Sequence, residues 1–293
     1  MKPVINHRFA FTQSELAIMD SEWVSWQGLK ETDRCILIEQ QTIAIQNDSP
    51  FLSPSSLRLN DTHQLMTLGE YQNCRILWIQ NDQEIHSAEN AQYMDLRQIA
   101  TELNATEASI CAQALLHHHW HKNHQFCGHC GNPTQLFEEH ARKCLNSTCQ
   151  KVVFPRIDPA IIVAVTNEYD EILLGRQAHW DKDRYSVLAG FVSYGESLEG
   201  AVKREVAEES GVEIEDVKQI EYVASQPWPF PNSLMLGFKA KAKKQPINTV
   251  DDELEHAMWI SRYDLNQQVS DGILKLPSRL SISRFLIDQW LID

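Results

Sequence analysis

Long apolar runs are missing from this 293-residue chain: none reaches the ~18 residues that a membrane-spanning helix needs. No membrane span, and no membrane partner, is therefore expected. The opening stretch MKPVINHRFAFTQSELAIMD lacks the continuous apolar core of a secretory signal, which makes the cytoplasm the expected compartment. Basic residues are also scarce. Lys and Arg number 26 against 40 Asp and Glu, a net charge of −14, and nonspecific affinity for nucleic-acid backbones comes mainly from Lys and Arg. A general nucleic-acid binder is thus disfavoured, while a small anionic ligand stays open if metal ions or local basic groups mask the charge. Repeats and low-complexity tracts are absent. The cysteines are not spread like a disulfide framework: they number seven, four of them fall within residues 127–149, and Cys35, Cys74 and Cys111 stand alone. That clustering points to metal in a reducing compartment, with the three isolated thiols as small buried hydrophobes.

What is present reads as a soluble globular protein, 43% hydrophobic and 23% charged. Its length allows two modest domains or one domain with a large extension. Short apolar runs at Cys35–Glu39, Gln41–Ile45 and Arg75–Ile79, separated by polar turns, predict a small β-rich domain over residues 1–100 with no chemistry in its spacing. Residues 101–121 carry Leu103, Ile110, Ala114 and Leu115 at helical spacing, with Thr106 as a candidate cap. This helix and the cysteine cluster make a second segment, 101–155. From residue 156 to 293 the texture alternates: strands at Ala160–Val165, Ile172–Arg176, Ile220–Ala224 and Leu234–Ala240, an apolar run at Tyr185–Ala189, and helices at Leu198–Ser210 and Ile282–Leu291. Gly211 is suited to stop the first of these helices. Such alternation predicts an α+β fold in which helices sandwich a mixed sheet.

Cys127 and Cys130 form a C-x2-C pair, and Cys144 and Cys149 a C-x4-C pair thirteen residues further on. Two close pairs of thiolates can close a tetrahedral shell around one structural Zn²⁺, leaving no open position for a substrate. The second pair is wider than the common spacing, so its loop must bulge. Free thiols are the alternative. The neighbouring His117, His118, His119, His121, His124, His129 and His140 read as a polar helix end and loop rich in histidine, not as a second metal site.

The stretch from Gly190 to Val212, GFVSYGESLEGAVKREVAEESGV, carries the chemistry. At ~100° per residue, Val202 and Val206 lie about 40° and 80° from Leu198, and Glu205 and Glu209 fall about 20° to either side of it. Glu208 flanks them at about −80°. Carboxylates inside an apolar stripe need a cation or a partner, because burying them alone is costly. Three glutamates at i, i+3 and i+4 offer hard oxygen ligands suited to Mg²⁺ or Mn²⁺, ions that also bind phosphate oxygens and activate water. Glu196 is placed to order the preceding loop or to pair with Arg204. A charged surface helix read out of register is the bland alternative.

Those same residues, Gly190, Glu196, Arg204, Glu205, Val206, Glu208, Glu209, Gly211 and Val212, fill every fixed position of G-x5-E-x7-R-E-U-x-E-E-x-G-U, with U a bulky aliphatic residue. The segment is identified as a Nudix box. The resemblance implies a Nudix α/β/α sandwich that binds metals on its loop–helix–loop and cuts nucleoside diphosphates linked to a further moiety.

Downstream, Gln226-Pro227-Trp228-Pro229-Phe230-Pro231-Asn232-Ser233 follows Ser225. Three prolines stiffen this loop and hold Trp228 and Phe230 at little ordering cost, which suits stacking on a base or nicotinamide ring. A hydrophobic turn packing the end of the sheet is the plainer reading. The string resembles the signature of the NADH pyrophosphatase and NAD-capped RNA hydrolase subfamily, whose architecture also includes a four-cysteine zinc ribbon and a run like Phe154–Pro159. The resemblance covers about residues 95–290. It implies hydrolysis of NADH to reduced nicotinamide mononucleotide and AMP, in some members removal of NAD caps from the 5′ end of RNA, and a homodimer.

Carried over position by position, Glu205, Glu209 and Glu253 would hold two or three Mg²⁺ or Mn²⁺ ions, with the Ala189 carbonyl as a further ligand. Glu255 is the rival to Glu253. Glu208 would be a metal ligand or the base acting on water. Phe191 and Phe154 match aromatic positions lining the nicotinamide or base pocket, Phe154 as the one that would reach across a dimer. Gln226 to Ser233 match the substrate loop. Arg97 and Glu139 match weaker substrate contacts, and Ser283 a position that is often alanine, in a segment one residue longer here. The leaving phosphate needs charge stabilisation more than covalent catalysis, so no Ser, Cys or His nucleophile is required. Two rivals remain: a Nudix hydrolase for ADP-ribose, coenzyme A or dinucleoside polyphosphates, and a non-catalytic zinc-ribbon/Nudix module that binds nucleic acid.

Overall fold

The computed structural model describes residues 22–61, 63–80, 88, 90–138, 140–249 and 253–293. The expected substrate contact Glu139 lies outside them. By its internal contacts the chain forms two compact units, one of residues 158–227 with 233–293, the other ending at Ile157 and including Trp228–Asn232.

The first unit along the chain is built on a six-stranded sheet of β1 (Trp23–Ser25), β2 (Arg34–Glu39), β3 (Thr42–Ile45), β4 (Gln64–Tyr71), β5 (Cys74–Gln80) and β6 (Gln92–Asp95), in the order β1-β4-β5-β2-β3-β6. Alternation sorts its side chains: Cys35, Leu37, Leu65, Leu77 and Ile79 form a core on one face. A four-residue helix α1 (Leu96–Ile99) follows, then α2 (Ala105–Asn123), which packs against β2 and β4. The cap of α2 is Asn104 and not Thr106. Asn104 accepts from the Glu107 backbone and Glu107 returns a bond to the Asn104 amide, a reciprocal capping box.

The histidine-rich end of α2 is not a polar, solvated surface. His118, His119 and His121 are buried, and Trp78 of β5 stacks on His117 and His121 at 5.9 and 5.5 Å. An imidazole presents a flat, weakly polar face, so it can join an aromatic core at a position that counts as polar in the sequence. Burial pushes the His117 and His121 rings down to about 3, keeping both neutral. Cys35 and Cys111 are buried as expected, and burial raises both thiols, whereas Cys74, expected to be buried, is only half-buried at the start of β5. The cysteine-rich segment adds a three-stranded sheet of β7 (Thr134–Phe137), β8 (Ala141–Cys144) and β9 (Val152–Val153).

The second unit is a mixed sheet between helices. Its strands are β10 (Asp158–Thr166), β11 (Glu171–Arg176), β12 (Leu188–Phe191), β13 (Ile220–Trp228), β14 (Ser233–Lys241) and β15 (His256–Ser261); its helices are α3 (Leu198–Ser210), α4 (Arg262–Ser270) and α5 (Ile282–Ile292). The sheet runs β13-β14-β10-β11-β15, with β12 joined to β10. β10 pairs in parallel with β14 over nine residues, Asp158 opposite Ser233 through Thr166 opposite Lys241. The unbroken run AIIVAV is explained by burial on both faces. Ile161, Val163 and Val165 meet Ala201, Val202 and Val206 of α3, while Ile162 and Ala164 meet Leu265 of α4 and Leu286, Ile287 and Trp290 of α5. Each fully buried aliphatic side chain of this kind stabilises by about 1.5–3 kcal/mol.

Candidate active site and metal centre

The acidic helix α3 begins where Ser197 accepts a hydrogen bond from the Gly200 amide and ends at Gly211, whose φ of 69° is left-handed. Its register is the one the helical wheel requires. Ala201, Val202 and Val206 are buried on the sheet, Glu205 and Glu209 are buried on the same stripe, and the Glu208 side chain is 54% exposed. The buried pair explains Gly190 in β12. A Cβ there would lie 1.9 Å from the Glu205 carboxyl carbon and 2.2 Å from each of its oxygens. The Glu205 carboxylate therefore lies directly over the backbone of β12, one residue from Ala189.

Arg204 is the hub of this acidic set. It donates to Glu196 (2.9 Å), Glu205 (2.8 Å), Glu208 (2.9 Å) and the Phe191 carbonyl (2.8 Å). Glu196 also accepts from the Ser193 amide at 3.0 Å, so it both pairs with Arg204 and orders the loop. The guanidinium holds the Glu196 carboxyl below its ordinary range. Glu205 moves the other way: burial raises it, against the pull of Arg204, and the charges of Glu208 and Glu253 push in the same direction as burial. Sequence reasoning assigned Arg204 only to Glu196. Its reach to Glu205 at i+1 and Glu208 at i+4 is a matter of side-chain direction in space.

Glu253, whose charge is felt at Glu205, accepts from Gln177 at 3.2 Å, whereas Glu255 is committed to an ion pair with Arg176 at 2.6 Å. Of the two rivals, Glu253 is the acid electrostatically linked to the helix. Hard carboxylate oxygens such as those of Glu205, seated over Gly190, suit a divalent cation. Among the described residues they do not converge as the cysteines do, because Arg204 stands among them.

Other expected positions fall as follows. Phe191 is 61% exposed beside this set. Gln226 is buried, donates to the Leu280 carbonyl (2.8 Å) and accepts from the Ile282 amide (2.9 Å), so it ties β13 to the start of α5. Ser283 is buried and shares a 2.6 Å hydroxyl contact with Ser186. Pro227 ends this unit's share of β13, and Ser233 opens β14 opposite Asp158.

Trp228, Pro229, Phe230, Pro231 and Asn232 belong to the other unit. There the Trp228 and Phe230 rings meet edge to face at 5.1 Å, and the Arg97 guanidinium lies 3.8 Å from the Phe230 ring centroid. His119 of α2 donates through Nδ1 to the Pro231 carbonyl at 3.0 Å, and the Asn232 amide donates to the Arg156 carbonyl. Arg97, His119, Phe230 and Pro231 line a cleft of about 290 Å³. His119 was not singled out by the sequence, where it is one of three consecutive histidines. Phe154 is 55% exposed and lines a separate cavity of about 710 Å³ with Trp23, His140 and Pro155.

The sulfurs of Cys127, Cys130, Cys144 and Cys149 all lie within 4.8 Å of one another, with 3.9 Å between Cys127 and Cys149 and 3.5 Å between Cys130 and Cys144. Tetrahedral zinc with Zn–S near 2.3 Å sets its sulfurs about 3.8 Å apart, so the set fits such an ion. Backbone amides draw the Cys127 and Cys130 thiols down, which favours the thiolate that binds metal, whereas Cys144, chiefly through burial, and Cys149 are raised.

The family model for the NUDIX domain matches residues 156–276, and that for the NADH pyrophosphatase-like rudimentary NUDIX domain matches residues 32–120. NAD-capped RNA hydrolase NudC of Haemophilus influenzae is 35% identical over 246 residues, which cover 83% of this chain and 86% of that protein. NAD-capped RNA hydrolase NudC of Pseudomonas putida is 46% identical over 59% of this chain, and Nudix hydrolase 19, chloroplastic, of Arabidopsis thaliana is 46% identical over 54% of it. The chain spans only 58% and 37% of those two relatives. The intact box, the helix that displays it on a two-faced sheet, and the likeness to the Haemophilus protein over 86% of that protein's length together make this chain a member of the Nudix hydrolase family.

Proposed function

We propose that the chain is a metal-dependent pyrophosphohydrolase that splits NADH or NAD⁺ into the corresponding nicotinamide mononucleotide and AMP, and that it also removes NAD caps from RNA. The observation that carries this reading is the buried Glu205–Glu209 pair on α3, with Glu205 lying over the Gly190 backbone. The relatives' names supply the substrate class. Glu205, Glu208, Glu209 and Glu253, with the Ala189 carbonyl, would hold two or three Mg²⁺ or Mn²⁺ ions. Such ions neutralise charge on the pyrophosphate oxygens and lower the pKa of a bound water. Arg204 and Glu196 fix where the helix carboxylates point, and Glu208, the exposed member, is held by Arg204 at 2.9 Å and would serve as a metal ligand or accept a proton from water. Phe191, Phe154, Trp228 and Phe230 supply ring faces for the base and nicotinamide, and Arg97, Pro227, Pro229, Pro231, Asn232 and Ser233 shape that recognition. Gln226 acts by tying β13 to the start of α5, and Ser283 of α5 by holding Ser186 and Val187, just before β12. One Zn²⁺ per chain on the four cysteines is structural. The working form is a cytoplasmic homodimer.

A panel of NADH, NAD⁺, ADP-ribose and NAD-capped RNA, each with Mg²⁺ or Mn²⁺ and with EDTA, tests the substrate class. Metal-dependent cleavage fastest on NADH or the capped RNA is expected. Turnover confined to ADP-ribose would overturn the proposal while leaving the family intact.

A further inference from the structure

The recognition loop has an anchor that the Nudix box does not provide. His119 sits on α2 and is buried, and its Nδ1–H donates to the Pro231 carbonyl at 3.0 Å. A carbonyl can only accept, so the proton is on Nδ1. Nε2 is buried and has no hydrogen-bond partner among the described residues, so the Pro231 contact is the ring's one hydrogen bond there. One residue earlier, Arg97 of α1 packs its guanidinium 3.8 Å from the Phe230 ring centroid. Phe230 and Pro231 are thus held from two neighbouring helices of the first unit, by a cation–π contact and a backbone hydrogen bond. The prolines remove the amides of residues 227, 229 and 231, so this loop has few backbone donors with which to order itself. An outside donor to a loop carbonyl is what such a segment requires.

We infer that His119 is a positioning residue for substrate recognition: it holds the Pro231 carbonyl and so presets the Trp228–Phe230 ring pair before the dinucleotide arrives. This rests on the recognition role given above to the loop, and it assigns α2 of the rudimentary Nudix domain a task. Losing the anchor shifts cost onto substrate binding, because the ring pair must then be ordered at that step. The chemistry on α3 is untouched, so KM moves and kcat does not.

Two variants separate the hydrogen bond from the packing. His119→Phe keeps a buried ring without a donor, and His119→Asn keeps a side-chain N–H close to the Nδ1 position. For His119→Phe, loss of one buried hydrogen bond predicts a KM for NADH raised by about tenfold with kcat within about twofold. The same loss predicts amide exchange at Phe230 and Asn232 faster by about tenfold. His119→Asn should recover most of both. A wild-type KM and wild-type exchange in His119→Phe would overturn the inference, as would His119→Asn behaving like His119→Phe. The exchange measurement needs no substrate, so it tests the anchor even if wild-type protein leaves NADH intact, an outcome that would instead sink the substrate assignment.

Discussion

Gly190→Ala separates the site's chemistry from its fold more cleanly than any carboxylate substitution. The added methyl would sit 1.9 Å from the Glu205 carboxyl carbon and 2.2 Å from both oxygens. Non-bonded carbons rest about 3.5–4.0 Å apart, so the carboxylate must retreat by at least about 1.5 Å. The backbone at Gly190 is not in the left-handed region, so alanine itself is unstrained there. The obstacle is the end of a flexible side chain, so the fold should lose no more than about 1 kcal/mol, a Tm shift of only a few degrees for a domain of this size. Turnover should respond differently. Displacing a reactive-site group by about 1 Å can cost about 10²-fold, and Glu205 must move further than that. The assay is kcat for NADH at saturating Mn²⁺ or Mg²⁺, alongside Tm and zinc content. A loss of about 10²-fold or more with Tm nearly unchanged is expected. Activity within threefold of wild type would refute the reasoning, because it would mean that Glu205 does not need the place it occupies over β12.

Zinc content should be one ion per chain, and Cys144→Ser should lose it together with a large part of the thermal stability, since structural zinc contributes directly to folding; retention of the wild-type Tm without zinc would contradict the assignment. Acid should destabilise the first unit. His121 takes a proton near 6.5 when unfolded but only near 3 when folded, so its stabilising effect is complete above about 6.5 and is lost as pH falls towards 3. At pH 5 this amounts to about 2 kcal/mol for one such ring. His121→Phe, which keeps the stack on Trp78, should therefore lose less stability between pH 7 and 5 than wild type in urea unfolding; parallel losses would show that the ring does not titrate in this way.

The second unit was legible where periodicity and burial agree. The limits of α3, Leu198–Ser210, and its Gly211 stop follow from the apolar stripe, and the AIIVAV run reads as a strand, whose burial on both faces the structure adds. Helix α4 was not legible, because in RYDLNQQVS only Leu265 is buried and no apolar period exists to read. The histidines of α2 were misread as solvated because composition cannot show that Trp78, 39 residues before His117, supplies an aromatic face for them. In the same way the sequence marked Gly190 and Arg204 as required but not why. The first is a steric matter between a strand and the helix that follows it, and the second depends on how far one guanidinium reaches. The cap of α2 fell on Asn104 because Glu107 completes a box three residues later, a signal present in the sequence that the choice of Thr106 passed over.

The central claim, that the buried carboxylates of α3 form the centre at which the pyrophosphate of NADH is cut, is tested most directly by product release from wild type and from the double variant Glu205→Gln, Glu209→Gln. The account predicts equimolar, EDTA-sensitive release of AMP and reduced nicotinamide mononucleotide by wild type. It predicts a loss of about 10³-fold or more in the variant, with zinc content and Tm retained, because metal-assisted charge stabilisation supplies several kcal/mol of the barrier. Turnover by the variant within tenfold of wild type, or intact NADH after incubation with wild-type protein and metal, would contradict it.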